Sequence, residues 1–522
     1  MKKLRLFGCY SILALAAVSF TACSSDDNGD NGGNGGGATT EVKWTTDGGL
    51  KACNHILFTA NGDKNVSDEG KQIGNGDQEF VFTGKQTLKK GTYTLKGWVY
   101  IANGAELTIE PGTVIKGDKT TKASLIAERG GKLIAQGSAD QPIVFTSAQA
   151  KGSRRPGDWG GVILCGKAKN NLKEIQIEGG PRSNYGGDDN ADNSGVLSYV
   201  RIEFAGYPFQ TDKEINGLTL GSVGSGTKID HVQVSYSNDD SFEWFGGDVN
   251  CKYLIAYRGW DDDFDTDNGF SGKVQYGLSV RDSKIADKSN SNGFESDNNA
   301  DGSTAEPYTS AVFSNITFIG PKALDKNFQN TKEYINGEGM EPGNGSERGL
   351  FQAAMHIRRN SHLNCYNSVA VGWPIGLILD NQKGGKPNGV NGTQQAAKDG
   401  VLKLNGIVFA DMTILGSDFN GVYKDNLVTD YKTSATDDTK PSFSSTFFNS
   451  DNSARRYFDG VSDLFNFSAA KYYMPLANSP LFSGFVDVKS LGLDDVNYIG
   501  AFDSTNDWTA GWTNFDPENA DY

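Results

Sequence analysis

The chain has 522 residues, a formal net charge of −15, four histidines and six cysteines. The negative charge argues against a nucleic-acid partner, because a phosphate backbone needs basic residues. The cysteines form no CxxC pair and histidines are few, so neither a zinc site nor metal-hydrolase chemistry is indicated. An acidic surface instead favours cations and neutral or basic ligands.

The N-terminus predicts a lipoprotein signal peptide over residues 1–22. A basic start, a short apolar stretch and the small residues Thr21 and Ala22 precede Cys23 in that order. The apolar stretch is too short to span a bilayer. Phe20-Thr-Ala-Cys23 resembles the bacterial lipobox, which implies that the Cys23 thiol is lipidated and holds the chain in a lipid membrane. An ordinary cleaved signal with a chance cysteine is the alternative.

The sequence of residues 23–40 predicts a lipidated cysteine that is followed by a flexible, disordered tether. Ser24–Thr40 contains no apolar residue larger than alanine, so it cannot bury enough surface to offset its chain entropy. Asp26, Asp27 and Asp30 resemble the acidic export signal that sends lipoproteins of Bacteroidota to the outer face of the outer membrane. A plain soluble linker is the alternative. We expect a lipid-anchored outer-membrane protein that faces the cell exterior.

The remaining chain predicts an all-β fold, a right-handed parallel β-helix (solenoid) with long loop insertions. Short apolar runs are bounded by Gly, Asn and Asp, and we find no long amphipathic helix. Trp98–Gly117 and Ser124–Gly137 look like the opening rungs of such a coil. We expect N-terminal strands or a cap over 41–95, the β-helix over 96–450 and a C-terminal cap over 451–522. A β-propeller is the main rival, but it needs a more uniform repeat.

Two strand types recur along the body. The first occurs at Leu197–Phe204, Ile229–Tyr236, Cys251–Tyr257, Val274–Val280 and Phe313–Ile319. The second occurs at Ser241–Gly246, Asp263–Asn268, Gly293–Asn298, Gly376–Asn381 and Gly421–Asn426. Its apolar anchors are Phe242, Phe264, Phe294, Leu377 and Val422. The irregular gaps between anchors fit one or more turns of a coil with loops of different length.

Alignment on these anchors predicts columns of polar residues. One column holds Glu243, Asp265 and Glu295; the next holds Asp267, Asp297, Asp380 and Asp425; a third holds Asn268, Asn298, Asn381 and Asn426. Residues i and i+2 of a strand share a face, so the acids point outward if the phenylalanines point inward. The asparagines are interpreted as a structural ladder.

The acidic columns predict a Ca²⁺ site. Two carboxylates about 4.8 Å apart repel by roughly 1 kcal/mol in water and about 3 to 4 kcal/mol at an effective dielectric of 20. Carboxylates that loops partly cover therefore need a cation, a basic partner or raised pKa values. Ca²⁺ takes six to eight oxygen ligands in flexible geometry. The candidate ligands are Glu243, Asp265, Asp267, Glu295 and Asp297, although no EF-hand spacing is present.

Aromatic residues beside these acids predict a glycan-binding groove, since sugars need flat apolar faces next to hydroxyl acceptors. The candidates are Trp244, Trp260, Phe270 and Tyr308. The alternative is that these rings pack in the core.

The candidates for catalysis are His356 and Arg358, which alternate on one face of a strand. Nothing in the sequence fixes them near the acidic columns, so a solvated, salt-bridged strand is the other interpretation. A uronate-cleaving enzyme also needs a positive groove, whereas this chain is acidic. We therefore favour non-catalytic binding of a glycan or another nutrient ligand, with a polysaccharide lyase or hydrolase and a structural or adhesive surface protein as alternatives.

The body resembles a family of outer-membrane lipoproteins of Bacteroidota and spirochaetes with a pectin-lyase-like β-helix. The resemblance covers most of residues 85–515 and rests on Ala102–Gly117, Asp158–Leu164, Asp239–Gly247, Asp261–Asn268, Asn292–Asn298, Gly500–Phe502 and Asp507–Trp512. It implies fold and location, and weakly a role in an outer-membrane uptake system with a TonB-dependent receptor as partner. Either free thiols or disulfides suit Cys53, Cys165, Cys251 and Cys365.

Overall fold

The computed structural model describes residues 41–59, 70–172, 175–177, 182–210, 213–384 and 392–522. Val42–Tyr522 forms one compact unit. The predicted signal peptide, the lipidated Cys23 and the tether lie outside the described residues. No helix in the described part of the chain is long and apolar enough to cross a membrane.

Within the described residues, most strands belong to two large sheets, of 13 and 16 strands, whose neighbours are almost all parallel. The first, sheet A, contains Trp44–Asp47, Leu50–Cys53, Phe80–Phe82, Trp98–Ile101, Ser124–Ala127, Gly161–Cys165, Leu218–Val223, Phe242–Gly247, Phe264–Asp267, Phe294–Ser296, Ala353–Ile357, Ile375–Leu379 and Ile414–Ser417. The second, sheet B, contains Leu57–Phe58, Gln72–Ile73, Lys85–Leu88, Thr92–Leu95, Glu106–Ile109, Val114–Gly117, Lys132–Gln136, Ile143–Ser147, Gly195–Glu203, Lys228–Ser235, Cys251–Tyr257, Lys273–Val280, Val312–Ile319, Asn364–Val371, Leu404–Ala410 and Arg455–Phe458. The chain alternates between the sheets, which confirms the predicted right-handed parallel β-helix.

The long strands of sheet B bend in the middle and so give the coil three sides. The first half of Gly195–Glu203 pairs with Lys132–Gln136 and the second half with Ile143–Ser147. Each bend lies at one residue in the left-handed region, such as Tyr199 at φ 51° and His231 at φ 51°. The rings at successive bends stack, with 4.2 Å between the centroids of Tyr199 and His231. Stacking offsets part of the cost of these unusual backbone angles.

The core is a set of apolar columns that run through the coil. Phe242, Phe264 and Phe294 pair in register and are fully buried, as the anchor alignment predicts. Met355 and then Leu377 continue this column.

One predicted rung is wrong. Leu377 pairs with Gly416, so the strand Ile414–Ser417 is the next rung, and Val422 lies in the loop beyond it. Asp425 therefore leaves the predicted acidic column. Its carboxylate accepts hydrogen bonds from the backbone N–H and hydroxyl of Ser442, at the start of a helix. A helix N-terminus is a favourable place for a carboxylate.

The remaining elements are short. The described helices are Pro321–Leu324, Thr393–Lys398 and Phe443–Asn449, with 3₁₀ turns at Pro480–Phe482, Lys489–Leu491 and Pro517–Asn519. Small hairpins pair Ile175–Gln176 with Asn184–Tyr185, Pro208–Gln210 with Lys213–Glu214, and Leu427–Asp430 with Ala435–Asp437.

Residues 459–522, here called the C-terminal strap, run back along sheet B. The backbone of Val486 bonds to Asn367, that of Asp494 to Gln275 and that of Asn514 to Gln233. These three partners lie on progressively earlier rungs. The strap buries a second apolar cluster against the coil, which includes Phe502 and Trp512.

The thiols of Cys53, Cys165, Cys251 and Cys365 are free and buried. Of the two alternatives left open by the sequence, the structure selects buried thiols that pack as small apolar groups.

Candidate cation and ligand site

The outer face of sheet A carries one column of acids next to the buried phenylalanines. Glu243 pairs with Asp265, and Asp265 with Glu295, on three successive strands. The next strand places His356 beside Glu295. The sequence had left the position of His356 undetermined, and the structure puts it at the end of this acidic column.

A second column lies two residues further along each strand. Asp267 follows Asp265, and the backbone N–H of Asp297 bonds to the carbonyl of Thr266, which aligns Asp297 with Asp267. Arg358 and Asp380 continue the column, because their N–H groups bond to Ser296 and Ile357 of the preceding rungs. The rung with His356 and Arg358 was missed in the alignment, although Met355-His-Ile-Arg358 repeats the apolar-polar-any-polar order of Phe264-Asp-Thr-Asp267.

A third outward column stands two residues before Leu218, Phe242, Phe264 and Phe294 and was not predicted. It contains Asn216, Asp240, Asp262 and Asn292. Asp240 accepts a hydrogen bond from the backbone N–H of Asp262 at 2.8 Å, and Asp262 accepts one from the N–H of Asn292 at 2.5 Å. These bonds use one oxygen of each carboxylate and leave the other for a ligand. The sequence has an Asp or Asn two positions before Phe242, Phe264 and Phe294. This regularity could have revealed the column.

We call the acids of these three columns that precede the rung of His356 and Arg358 the acidic strip. Its members are Asp240, Glu243, Asp262, Asp265, Asp267, Glu295 and Asp297.

Among the described residues, too few positive side chains face the acidic end of the strip to balance its carboxylates. Burial, and then the neighbouring carboxylates Glu295 and Asp297, raise the pKa of Asp265 well above its ordinary value. Burial and Asp265 do the same to the pKa of Glu243. Burial and Asp297 raise the pKa of Asp267 to about 8. Carboxylates in this position must take up protons or a cation.

The other end of the strip is basic. Burial opposes ionisation of Glu295, but Arg358 and His356 outweigh it and lower the Glu295 pKa to about 2. Arg358 contacts Glu295 and bonds to Asp297 at 2.8 Å, and Arg359 bonds to Asp297 at 2.6 Å. Within one or two rungs, the strip therefore changes from carboxylates without a positive partner to carboxylates that are paired with arginine.

The acidic end fits a hard cation. One oxygen each of Asp240, Glu243 and Asp265 lie within 4.8 Å of one another. Asn216 is 2% exposed and its amide nitrogen contacts Glu243, while its side-chain oxygen has no hydrogen-bond partner among the described residues. One buried oxygen of Asp265 also lacks a partner. Convergent carboxylate and amide oxygens are the donors that Ca²⁺ takes.

Of the five acids predicted as metal ligands, the structure brings Glu243 and Asp265 into this oxygen cluster. Asp267 lies beside them in the second column, whereas Glu295 and Asp297 are the partners of Arg358. The arginine partner neutralises part of the charge of Glu295 and Asp297, so these two carboxylates attract a cation less strongly.

Three of the predicted ligand-binding aromatics lie in the core. Trp244, Trp260 and Phe270 are each 0% exposed. Trp244 stacks on Phe270 with 5.4 Å between ring centroids. A buried ring offers no face to a sugar, so these residues do not line a groove. The alternation of strand residues explains Trp244, because it shares the inward face of Phe242.

Tyr308 is the predicted aromatic that reaches the surface in part. Its ring stacks on His362 with 4.1 Å between centroids. One ring face is therefore used by an internal contact.

His356 is fully buried between two carboxylates. Its Nδ1 lies 3.5 Å from Glu295 and its Nε2 lies 3.7 Å from Asp380. Burial lowers the His356 pKa, but Asp380 and Glu295 outweigh burial and raise it. His356 has no exposed surface, so in this structure it faces Glu295 and Asp380 and not the solvent.

A cavity of about 380 Å³ opens at the basic end of the strip. Its lining residues are Arg358, Arg359, Asp380, Gln382, Lys383, Asn420, Tyr431 and Lys432. The size is that of a small-molecule or monosaccharide pocket. A carboxylate group is a suitable occupant, because arginine and lysine donors converge there.

A family model described as a pectate-lyase like beta helix domain matches residues 81–447. No curated protein and no solved structure shows significant similarity to the chain. The matched range contains every residue of the acidic strip and of its basic end. Together with the parallel rungs, the match shows that the chain belongs to the pectate-lyase-like β-helix domain family.

Proposed function

We propose that the chain is a surface-exposed outer-membrane lipoprotein that binds an acidic glycan through Ca²⁺ held on the acidic strip. The lipid on Cys23 anchors it, and the tether lets the β-helix reach ligands outside the cell. The protein is non-catalytic and presents its ligand to an outer-membrane uptake system, with a TonB-dependent receptor as the proposed partner.

The shortage of positive charge around the acidic end, in the part of the chain that the structure describes, carries this proposal. One oxygen each of Asp240, Glu243 and Asp265 converge within 4.8 Å of one another, and the amide nitrogen of the buried Asn216 contacts Glu243. Protonation relieves the repulsion at low pH, but at neutral pH a divalent cation does so more effectively. Protein oxygens supply only part of the six to eight ligands of Ca²⁺. The remaining positions are available to carboxylate and hydroxyl groups of a glycan.

The basic end supports an acidic ligand. The whole chain is negative, which argues against a polyanion, but Arg359, Lys383 and Lys432 concentrate positive charge in the cavity beside the strip. A glycan that places one carboxylate on the cation and the next in this cavity meets opposite charge at both points. Local charge then outweighs the unfavourable net charge at short range, because salt screens beyond about 8 to 10 Å.

A polysaccharide lyase is the second candidate, favoured by the arginines next to the proposed cation. Such an enzyme needs a base that loses its proton. Burial works against the charged form of Arg358, but Asp297 and Glu295 outweigh it and raise the Arg358 pKa well above its ordinary value. A guanidinium held in its protonated form is a poor base. We therefore place binding before catalysis.

The cation is tested by titrating Ca²⁺ into chelator-treated protein in a calorimeter. We expect saturable binding at neutral pH and at least about tenfold weaker binding in Asp265→Asn, which removes a charged ligand. Asp495→Asn is the matched control, since Asp495 is exposed and lies outside the strip. Absence of Ca²⁺ binding, or equal affinity in both variants, contradicts the proposed site.

The ligand is tested with an oligouronate and a neutral oligosaccharide of equal length. We expect the oligouronate to bind with Ca²⁺ present, to dissociate when chelator is added, and to remain intact. New unsaturated sugar ends would instead establish the lyase. Preference for the neutral oligosaccharide would contradict the proposal that the ligand is acidic. It would not contradict the cation site.

The anchor is tested by fractionating cells that produce the wild type or Cys23→Ala. We expect the wild type in the outer membrane, accessible to protease added outside, and the variant outside the membrane fraction. Membrane retention of the variant contradicts lipidation at Cys23.

A further inference from the structure

A second cavity, of about 640 Å³, lies away from the acidic strip, between the helix Pro321–Leu324 and the first part of the C-terminal strap. Its lining residues include Lys322, Lys326, Asp411, Val461, Phe467 and Leu476. The strap residues among them lie beyond residue 447, where the family match ends. The family match therefore covers one side of the cavity but not the side formed by the strap.

One wall of this cavity is apolar. Phe465 and Phe467 stack with 5.7 Å between ring centroids, and Phe465 is 3% exposed. Val461, Phe467 and Leu476 are half-buried, so apolar surface remains open to an occupant. Covering such surface is favourable because apolar area is removed from water. The body of a ligand that fits this wall is apolar, aliphatic or aromatic.

The opposite wall is basic. The Lys322 ammonium is neutralised by Asp411, with 2.7 Å between Nζ and the carboxylate. Lys326 is exposed and has no ion pair or hydrogen bond among the described residues. A free ammonium beside an apolar wall, on a chain of net charge −15, selects an anionic head group.

We propose that this cavity binds a small amphipathic anion, an apolar body joined to one carboxylate or sulfonate group. The apolar body covers Phe467, Val461 and Leu476, and the anionic group lies at Lys326. The volume is within the range of small-molecule sites. This site is independent of the acidic strip and of Ca²⁺.

The probe is anilinonaphthalene sulfonate, an aromatic anion whose fluorescence rises in apolar surroundings, added to the folded full chain in the presence of chelator. We expect saturable binding to one site and displacement by decanoate. Decanol has the same apolar body without the charge, so we expect it to displace the probe at least about tenfold less well.

Two lysine variants separate this site from unspecific binding. Lys326→Glu reverses the charge at the cavity and should weaken decanoate at least about tenfold. Lys332→Glu makes the same change at an exposed lysine that does not line the cavity and should leave affinity unchanged. Equal affinity in both variants, equal displacement by decanol and decanoate, or no saturable binding overturns the proposal. Thermal melts of both variants verify that they are folded.

Discussion

At the scale of single residues, Arg358 is the counter-charge of two largely buried carboxylates. Its side chain is 16% exposed and holds Glu295 and Asp297, which are 14% and 7% exposed. Arg358→Met leaves these buried carboxylates without their main counter-charge. We expect a loss of about 3 to 5 kcal/mol in the free energy of unfolding, measured by urea denaturation at neutral pH.

Arg348→Met is the matched control for Arg358. Arg348 is 45% exposed and lies 3.9 Å from Glu341, which is 46% exposed. Solvent screens such a pair, so the control should lose less than about 1 kcal/mol. Equal losses in the two variants would show that Glu295 and Asp297 do not depend on Arg358.

The same charges predict an unusual pH dependence. Asp267 has its pKa raised, chiefly by burial and by Asp297, to about 8. In the unfolded chain the ordinary value is about 3.9. The folded state therefore keeps a proton that the unfolded state has lost. Its contribution to stability is complete below about pH 4 and disappears as the pH rises to about 8.

We therefore expect chelator-treated protein to lose stability between about pH 4 and 8, and Asp267→Asn to reduce this slope. Urea denaturation at several pH values measures it. Added Ca²⁺ should flatten the slope, because the cation replaces the proton. A wild-type stability that rises with pH across this range would contradict raised carboxyl pKa values in the folded state.

At the scale of elements, the rung strands could be predicted because their pattern is local. Phe242, Phe264 and Phe294 each open a strand with the same order of residue types, and alternation sets which side chains face outward. The rung at Met355 was missed because a long insertion separates it from Phe294. Val422 matched the pattern but lies in a loop, since a short motif does not establish pairing.

The candidate cation and ligand site could also be predicted only where its residues follow a local pattern. Columns of acids follow from the register, so Glu243, Asp265 and Glu295 could be aligned from the sequence. The pairing of Arg358 with Asp297 depends on which strand follows across a long insertion, and such contacts leave no local signal. The burial of Trp260 also leaves no local signal in the sequence, because it depends on packing contacts that form only in the folded chain.

The central column makes a prediction at this scale. Phe264 is 0% exposed and packs against Phe242 and Phe294 with centroid separations of 5.6 and 6.0 Å. Phe264→Ala leaves a cavity between two rungs and should cost about 3 to 5 kcal/mol. Phe245 on the outer face is the control, and Phe245→Ala should cost about 1 kcal/mol. Thermal and urea unfolding compare the two, and equal costs would contradict the assigned inward and outward faces.

At the scale of the whole molecule, the C-terminal strap ties distant rungs together. The amide of Gln233 bonds twice to the backbone of Asn514, at 2.7 and 2.9 Å, as a neighbouring strand would. Trp512 is 0% exposed and its ring meets the edges of Tyr199 and His231. A coil of stacked rungs has mostly neighbour-to-neighbour contacts, so the strap supplies long-range ones.

The strap should therefore open without unfolding the coil. Trp512→Ala removes its largest buried side chain at a cost of about 3 to 5 kcal/mol, and local opening needs only the strap to leave sheet B. We expect faster proteolysis within residues 459–522 while the far-ultraviolet circular dichroism of the β-helix persists. Trp98→Ala, at a half-buried tryptophan of sheet A, whereas the strap runs along sheet B, should leave strap cleavage unchanged. If Trp512→Ala instead unfolds strap and coil in one transition, the two are a single cooperative unit, and the expected local opening is contradicted.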